Sequence, residues 1–173
     1  MSKYGIRFSI LDLGIMKSDV NLVVPGSVTA TRSNPEAKTY MIDVPIDSVL
    51  IDVPGYGRII YDLGCDPKGM SEHWSESIKE INPYYQKENQ TLEYQLDLLE
   101  LKPEDIRTVI LSHMHVDHAG YLYLFPHAEV IVQQKEFAAA LTYAFEQLEQ
   151  EGYTLYMRRD ITVPVDKYTL ING

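Results

Sequence analysis

The sequence contains a single cysteine, Cys65, and nowhere a run of eighteen apolar residues. One thiol excludes an internal disulfide and a cysteine-rich zinc finger, and it suits a reducing compartment. Apolar runs this short give no expectation of a membrane-spanning helix. The opening MSKYGIRFSILDLGIM carries Asp12 and lacks a small-residue cleavage pattern, so no signal peptide is expected. Positive charge is also scarce: 15 Lys and Arg face 25 Asp and Glu, for a formal net charge of -10. Such a surface repels phosphate backbones and argues against nucleic acid as a partner. It accommodates a metal site, because carboxylates and neutral imidazoles suit divalent cations. Internal repeats and low-complexity segments are lacking as well. These absences predict one soluble cytoplasmic domain with neither a membrane nor a nucleic-acid partner.

With 173 residues, 45% of them hydrophobic, the chain can bury a sizeable core. Strands are expected over Tyr4–Leu13, Thr39–Val44, Ser48–Val53 and Arg58–Asp62, the last two joined by the turn Pro54-Gly55-Tyr56-Gly57, as an antiparallel meander. Residues 14–38, with Pro25, Gly26, Asn34 and Pro35, are expected to form a long loop. Leu63–Gln90 reads as a partly helical surface excursion, and long loops in compact domains often carry function. Thr91–Leu101 is predicted as a largely buried helix ended by Pro103. Then come a buried strand at Ile106–Leu111, a strand at Ala128–Val132 and a helix at Gln134–Gln150, with further strands at Tyr153–Met157 and Lys167–Ile171. Strands alternating with helices indicate an α/β (α+β) architecture.

Chemistry concentrates directly after the 106–111 strand, where residues 113–118 read His-Met-His-Val-Asp-His. Alternate side chains of extended backbone point the same way, so His113 and His115 can address one ion. A turn through Ala119-Gly120 can aim Asp117 and His118 at an adjacent position a few ångströms away. One segment then supplies donors for two neighbouring metals, as two-metal hydrolysis requires. With 5 His in 173 residues, chance produces this pattern in roughly 3 of 10,000 such chains, so a mere surface cluster is a poor explanation. A single structural zinc is poorly served too, because three histidines and an aspartate so close in sequence give bad tetrahedral geometry for one ion.

The spacing His-x-His-x-Asp-His-x-Gly, carried by His113, His115, Asp117, His118 and Gly120, resembles the signature of the metallo-β-lactamase superfamily. Asp62-Leu63-Gly64 resembles that superfamily's Asp-x-Gly strand end. The runs SHMHVDHAG and VIVQQKEFAAAL, with the long insert after DLGC, are most similar to the N-acyl-homoserine lactonases. The resemblance implies an αββα sandwich and two divalent metal ions, zinc foremost, with iron, manganese or cobalt also suited to the donors. It implies that His113 and His115 hold the first ion. Asp117 and His118 would hold the second, with Asp117 also counted as catalytic, and Asp62 would orient the ligands from behind. The activity it implies is opening of a lactone ring by a metal-bridging hydroxide. Family members run well beyond this length. Their later half supplies a third histidine for the first metal, a bridging aspartate, a final histidine for the second metal and, in the lactonases, a catalytic tyrosine. After His118 the one histidine here is His127, beside Pro126 and poorly placed as a ligand. The expectation is therefore a single domain over residues 1–173 that is incomplete at its carboxyl end, a fragment or one piece of a split protein. It would hold half a dinuclear site and expose apolar surface.

His73, Trp74, Tyr84 and Tyr85 lie in the 63–90 insert, where aromatic faces can line an acyl pocket or simply anchor the loop. Cys65 follows Gly64 near the site and reads more simply as a buried structural thiol than as a ligand. Other members of the superfamily share the motif, so a thioester hydrolase resembling glyoxalase II and an amide hydrolase stay open, since fold does not choose among them. A non-catalytic metal-binding module stays open for this chain alone. The expected partner is a small ester or lactone, and a homodimer is left open.

Overall fold

The computed structural model describes residues 5–146 and 155–172. In chain order these form β1 (Arg7–Asp19), α1 (Val20–Val23), β2 (Met41–Val53), β3 (Gly57–Tyr61), α2 (Glu76–Ile81), β4 (Tyr84–Tyr85), α3 (Leu92–Asp97), β5 (Ile106–Ile110), β6 (Glu129–Gln133), α4 (Gln134–Glu146), α5 (Arg158–Ile161) and β7 (Lys167–Ile171). The strands make one seven-stranded sheet in the order β4-β1-β2-β3-β5-β6-β7. The first half is the expected antiparallel meander, and β3, β5, β6 and β7 run parallel.

Several expectations need correction. The first strand does not stop at Leu13. It runs to Asp19 through a register break between Asp12 and Ile15, where Gly14 adopts φ +117°. A Cβ there would lie 2.5 Å from the Tyr85 carbonyl oxygen, so glycine lets the bulge pass under β4. The two strands expected within 39–53 are one, because Pro45 sits opposite Ile15 at that bulge, where a missing N–H costs little. Last, α3 is short and half exposed. Leu92 and Leu96 are buried, but Tyr94, Leu98 and Leu99 face outward, because the chain reverses at Glu100 (φ +55°) and Leu101 N–H returns to the Leu96 carbonyl.

The 63–90 insert is tied into the core by Trp74, Ile78 and Tyr84, so it is more than a surface excursion. Lys167–Ile171 is a strand as expected. Residues 155–157 are not part of any strand, while residues 153–154 and the end of the predicted 134–150 helix lie outside the described residues.

The two faces of the sheet differ. The row Leu50–Ile60–Val109–Val130, paired strand to strand, is buried. It shares one cluster with Leu92 and Leu96 of α3, Ala140 and Ala144 of α4, and Ile161 of α5. On the opposite face the row Ile10–Val49–Tyr61–Ile110–Ile131 contributes nothing to that cluster. Phe8 and Ile10 there are 66% and 73% exposed. Among the described residues this apolar face has no layer over it, and the architecture is helices on one side of a sheet.

Truncation at the two faces should therefore read very differently. Leu13→Ala should cost about 2–5 kcal/mol, the range for a buried leucine, whereas Ile10→Thr should stay within about 0.5 kcal/mol. Urea unfolding of the two variants measures both values, and equal losses would show that the exposed row is packed in solution.

Candidate metal centre

The site is built where β3 and β5 end side by side. Asp62 N–H donates to the Ile110 carbonyl (2.9 Å), and Ser48 Oγ donates to the Asp62 carbonyl (2.6 Å). So held, Asp62 takes a left-handed φ of +55°, a conformation that an aspartate tolerates better than most residues. Its carboxylate turns back across β5. It accepts the Ser112 N–H (2.8 Å) and Ser112 Oγ–H (2.8 Å), and pairs with His118 Nδ1 (2.8 Å). After His118 the chain stays laced to the same strand end. Leu63 N–H donates to the His118 carbonyl, and Gly120 N–H to that of Gly64. A Cβ at Gly120 would sit 2.0 Å from the Asp66 backbone nitrogen, so only glycine fits this contact.

This frame brings the motif together. The His113 ring lies 3.9 Å from that of His118 and 4.5 Å from that of His115, centroid to centroid. His118 Nε2 faces the Asp117 carboxylate at 3.2 Å. One donor atom each from His113, Asp117 and His118 fall within 4.8 Å of one another, a spread that a divalent ion can span. The trio draws on both of the pairs that the sequence suggested. His115 stands next to it, its ring also edge-on to Tyr156 at 4.6 Å.

Hydrogen bonding prepares the donors. Ser112 Oγ gives its proton to Asp62, so toward His113 Nδ1 (3.0 Å) it can only accept. That fixes the proton on His113 Nδ1 and leaves Nε2 as the donor. Asp62 likewise holds the proton on His118 Nδ1, so the Nε2 that faces Asp117 is the nitrogen left for a metal. The donor set therefore fits a divalent cation.

Charge follows from the same contacts. Burial lowers the pKa of His113 and His115, helped by the neighbouring imidazoles, so both are neutral near pH 7. Burial opposes the charge on His118 as well, but the hydrogen bonds its ring donates to Asp117 and Asp62 outweigh it and raise its pKa to about 9. Burial likewise opposes ionisation of Asp117, and the bond to His118 overrides it, leaving the carboxyl below its usual range.

A cleft of about 230 Å³ opens beside His115 and Asp117, walled by Met16, Leu22, Val23, Val44 and Leu155, with Ser18 and Asn82 as polar members. The four pocket candidates of the insert are elsewhere. His73 pairs with the Asp66 carboxylate (2.6 Å) and with Arg159. Trp74 is core, Tyr84 is buried with its hydroxyl on the Leu13 carbonyl, and Tyr85 is exposed on β4. They do not line this cleft. Cys65 is fully buried, and burial pushes its thiol well above the usual range, as a structural thiol requires. The bracing contacts of Ser112, Glu136 and Tyr156 were not read from sequence, because each is made only in the folded chain. Among the described residues no helix is long and apolar enough to cross a membrane.

Fold and site together describe an α/β protein with a cluster of potential metal donors, and comparison with known families names the class. The chain belongs to the metallo-beta-lactamase superfamily, whose family model matches residues 41–153. It is 35% identical over 141 residues to the N-acyl homoserine lactonase AiiB of Rhizobium rhizogenes, covering 80% of this chain and 51% of that one. It is 27% identical over 168 residues to the N-acyl homoserine lactonase AttM of Agrobacterium fabrum, covering 97% and 59%. Among solved structures it resembles an N-acyl homoserine lactone hydrolase with N-hexanoyl-L-homoserine bound at its catalytic metal centre. There the TM-score is 0.71 at 21% identity, over 96% of this chain and 59% of that one. It also resembles the dizinc quorum-quenching lactonase AidC, with a TM-score of 0.62 at 16% identity over 99% and 60%. At such identities the structural likeness establishes the fold. The chain spans between half and three-fifths of the length of these relatives.

The raised pKa of His118 links folding to pH. A group protonated more strongly when folded contributes its stability fully below the unfolded value near 6.5, and loses it as pH rises through about 9. In chelator the melting temperature should therefore fall across that window, and less so for Asp62→Asn, which removes one of the two carboxylates holding the proton. Nuclear magnetic resonance titration of the His118 ring checks the assignment. A midpoint near 6.5 in the unaltered chain would refute it.

Proposed function

We propose that this chain carries the earlier ligand set of a dinuclear metal hydrolase that opens the lactone ring of N-acyl homoserine lactones. The observation that carries this reading is the convergence of His113, Asp117 and His118 around the Asp62–Ser112 brace, beside an apolar-walled cleft. Identity to lactonases such as AiiB supports the substrate class, and the dizinc relative supports zinc.

Divalent ions, when bound, polarise a carbonyl and acidify water at neutral pH. The chain's own groups do the rest. His113, His115, Asp117 and His118 would hold the ions, and Asp62 and Ser112 keep the proton on the outer nitrogen of His113 and His118. Asp117 is kept ionised by His118 and lines the cleft, so it is both a ligand and a carboxylate able to hold a proton at Oδ2. Met16, Leu22, Val23, Val44 and Leu155 offer an acyl chain an apolar wall, while Ser18 and Asn82 add polar atoms nearby. Serine nucleophilic catalysis is not favoured, because Ser112 Oγ already donates to a carboxylate and abuts two ligand rings. A small-molecule substrate and a reducing cellular compartment complete the reading.

Catalytic zinc usually takes about three protein ligands per ion, and four side chains divide to fewer. Acid release from an N-acyl homoserine lactone should therefore be weak for these 173 residues under zinc, iron or cobalt. It should be strong and chelator-sensitive when they form the amino-terminal part of a chain of the relatives' length. Asp117→Ala in the longer form should lower turnover by at least about 100-fold. A longer form that binds two metals per chain, leaves lactones intact and cleaves a thioester would move the substrate assignment.

A further inference from the structure

Beyond β5 the ligand segment has no strand partner, yet alternate amides along it are each caught by a different element. Ser112 N–H goes to Asp62 (2.8 Å), Met114 N–H to Glu136 Oε1 (2.8 Å) and Val116 N–H to the Leu155 carbonyl (2.8 Å). The residues between them, His113 and His115, carry the imidazoles. Glu136 is the member of this set that stands on a helix, in the first turn of α4. Its carboxylate also accepts the Tyr156 hydroxyl at 3.0 Å and 3.1 Å from its two oxygens. The Tyr156 ring in turn stands edge-on to His115 at 4.6 Å and stacks on Tyr143 at 5.0 Å. Met114, whose amide it holds, is fully buried.

We propose that Glu136 is a positioning residue for the metal centre, fixing His115 from two sides by gripping the Met114 amide between the first two histidines and by setting the tyrosine ring that packs on His115. The proposal rests on the metal-binding reading above. Two contacts from one carboxylate leave the His115 backbone and ring little freedom. Asp62 and Ser112 serve His113 and His118 in this way, but His115 has no contact with either among the hydrogen bonds described. A carboxylate is suited to the task because its two oxygens accept two donors at once. Partners standing behind metal ligands typically govern affinity through such orientation.

The test uses the 173-residue chain with Glu136→Ala and Glu136→Gln. The glutamine oxygen can still accept from the Met114 amide, so it should restore what alanine loses. In chelator, exchange of the Met114 amide with deuterium should speed up by at least about tenfold in E136A and little in E136Q. Resonances of the His115 ring should move only in the alanine variant. With cobalt(II), E136A should bind about 10–100-fold more weakly and show an altered visible absorption band, while E136Q stays within about threefold. Unchanged Met114 protection in E136A overturns the proposal, as does unchanged cobalt affinity. So does an E136Q as weak as E136A, which would assign the effect to charge. If the unaltered chain takes up no cobalt, the metal-site reading fails by itself, and the Met114 and His115 signals still decide whether Glu136 braces the loop.

Discussion

The Asp62 carboxylate is the contact on which the centre depends. It stands at the end of one strand and holds both ends of a loop that leaves the next, through Ser112 at the start and His118 at the finish. A six-residue irregular segment has many conformations available, and fixing each residue costs about 1–2 kcal/mol. Charge-assisted hydrogen bonds to a 6%-exposed carboxylate are strong enough to select one of them. The backbone around Asp62 is committed to this role, since its left-handed φ is tolerated only because Ser48 and Ile110 pin it on both sides. The glycine contact at 120 serves the same end by letting the loop close directly onto Cys65 and Asp66.

How much of this was legible in the sequence depends on whether the signal was local. The ligand types and their spacing are contiguous, so the motif and its place after a buried strand could be read. Asp62 could be found because a strand end followed by Leu-Gly is itself a local pattern. The meander and most of the later strands followed from alternation and turn residues, whereas the parallel pairing of those strands was not read from sequence. Glu136 and Tyr156 could not be found, because an acceptor for the Met114 amide is a property of a folded loop and leaves no periodic trace. The long β1 was missed because Gly14 reads as a breaker, while in the fold it is a bulge that keeps the strand going beneath Tyr85. The excess burial expected of α3 came from counting leucines on two faces of a helix that has only six residues. The cleft-lining residues come from β1, α1, β2 and the stretch around 155, segments far apart in sequence with no shared pattern.

The open sheet face bears on the centre as well as on stability. Ile110, the last residue of β5, belongs to the uncovered row, while its neighbours Val109 and Leu111 are core. The ligand loop therefore starts at the point where a covered and an uncovered surface meet. An apolar face of this kind marks an interaction surface on a soluble protein. Its position fits the length comparison, in which relatives of the same fold carry two-fifths or more of their chain outside the shared span.

Charge bookkeeping at the centre explains why its geometry is already suited to a cation. Three imidazoles packed together would repel one another if all were protonated, yet the fold assigns each a complementary role. Burial keeps His113 and His115 neutral, so neither adds positive charge. His118 takes the one extra proton, so that its Nδ1–H meets Asp62 and its Nε2–H meets Asp117. A divalent ion held at Nε2 would displace only the proton on that nitrogen, since the Nδ1 contact to Asp62 is made by the neutral ring as well. The bond that orients the ring and the atom that would bind metal are thus on opposite edges of one imidazole. Ligand orientation can survive the exchange of proton for metal, and affinity must rise with pH as the competing proton leaves.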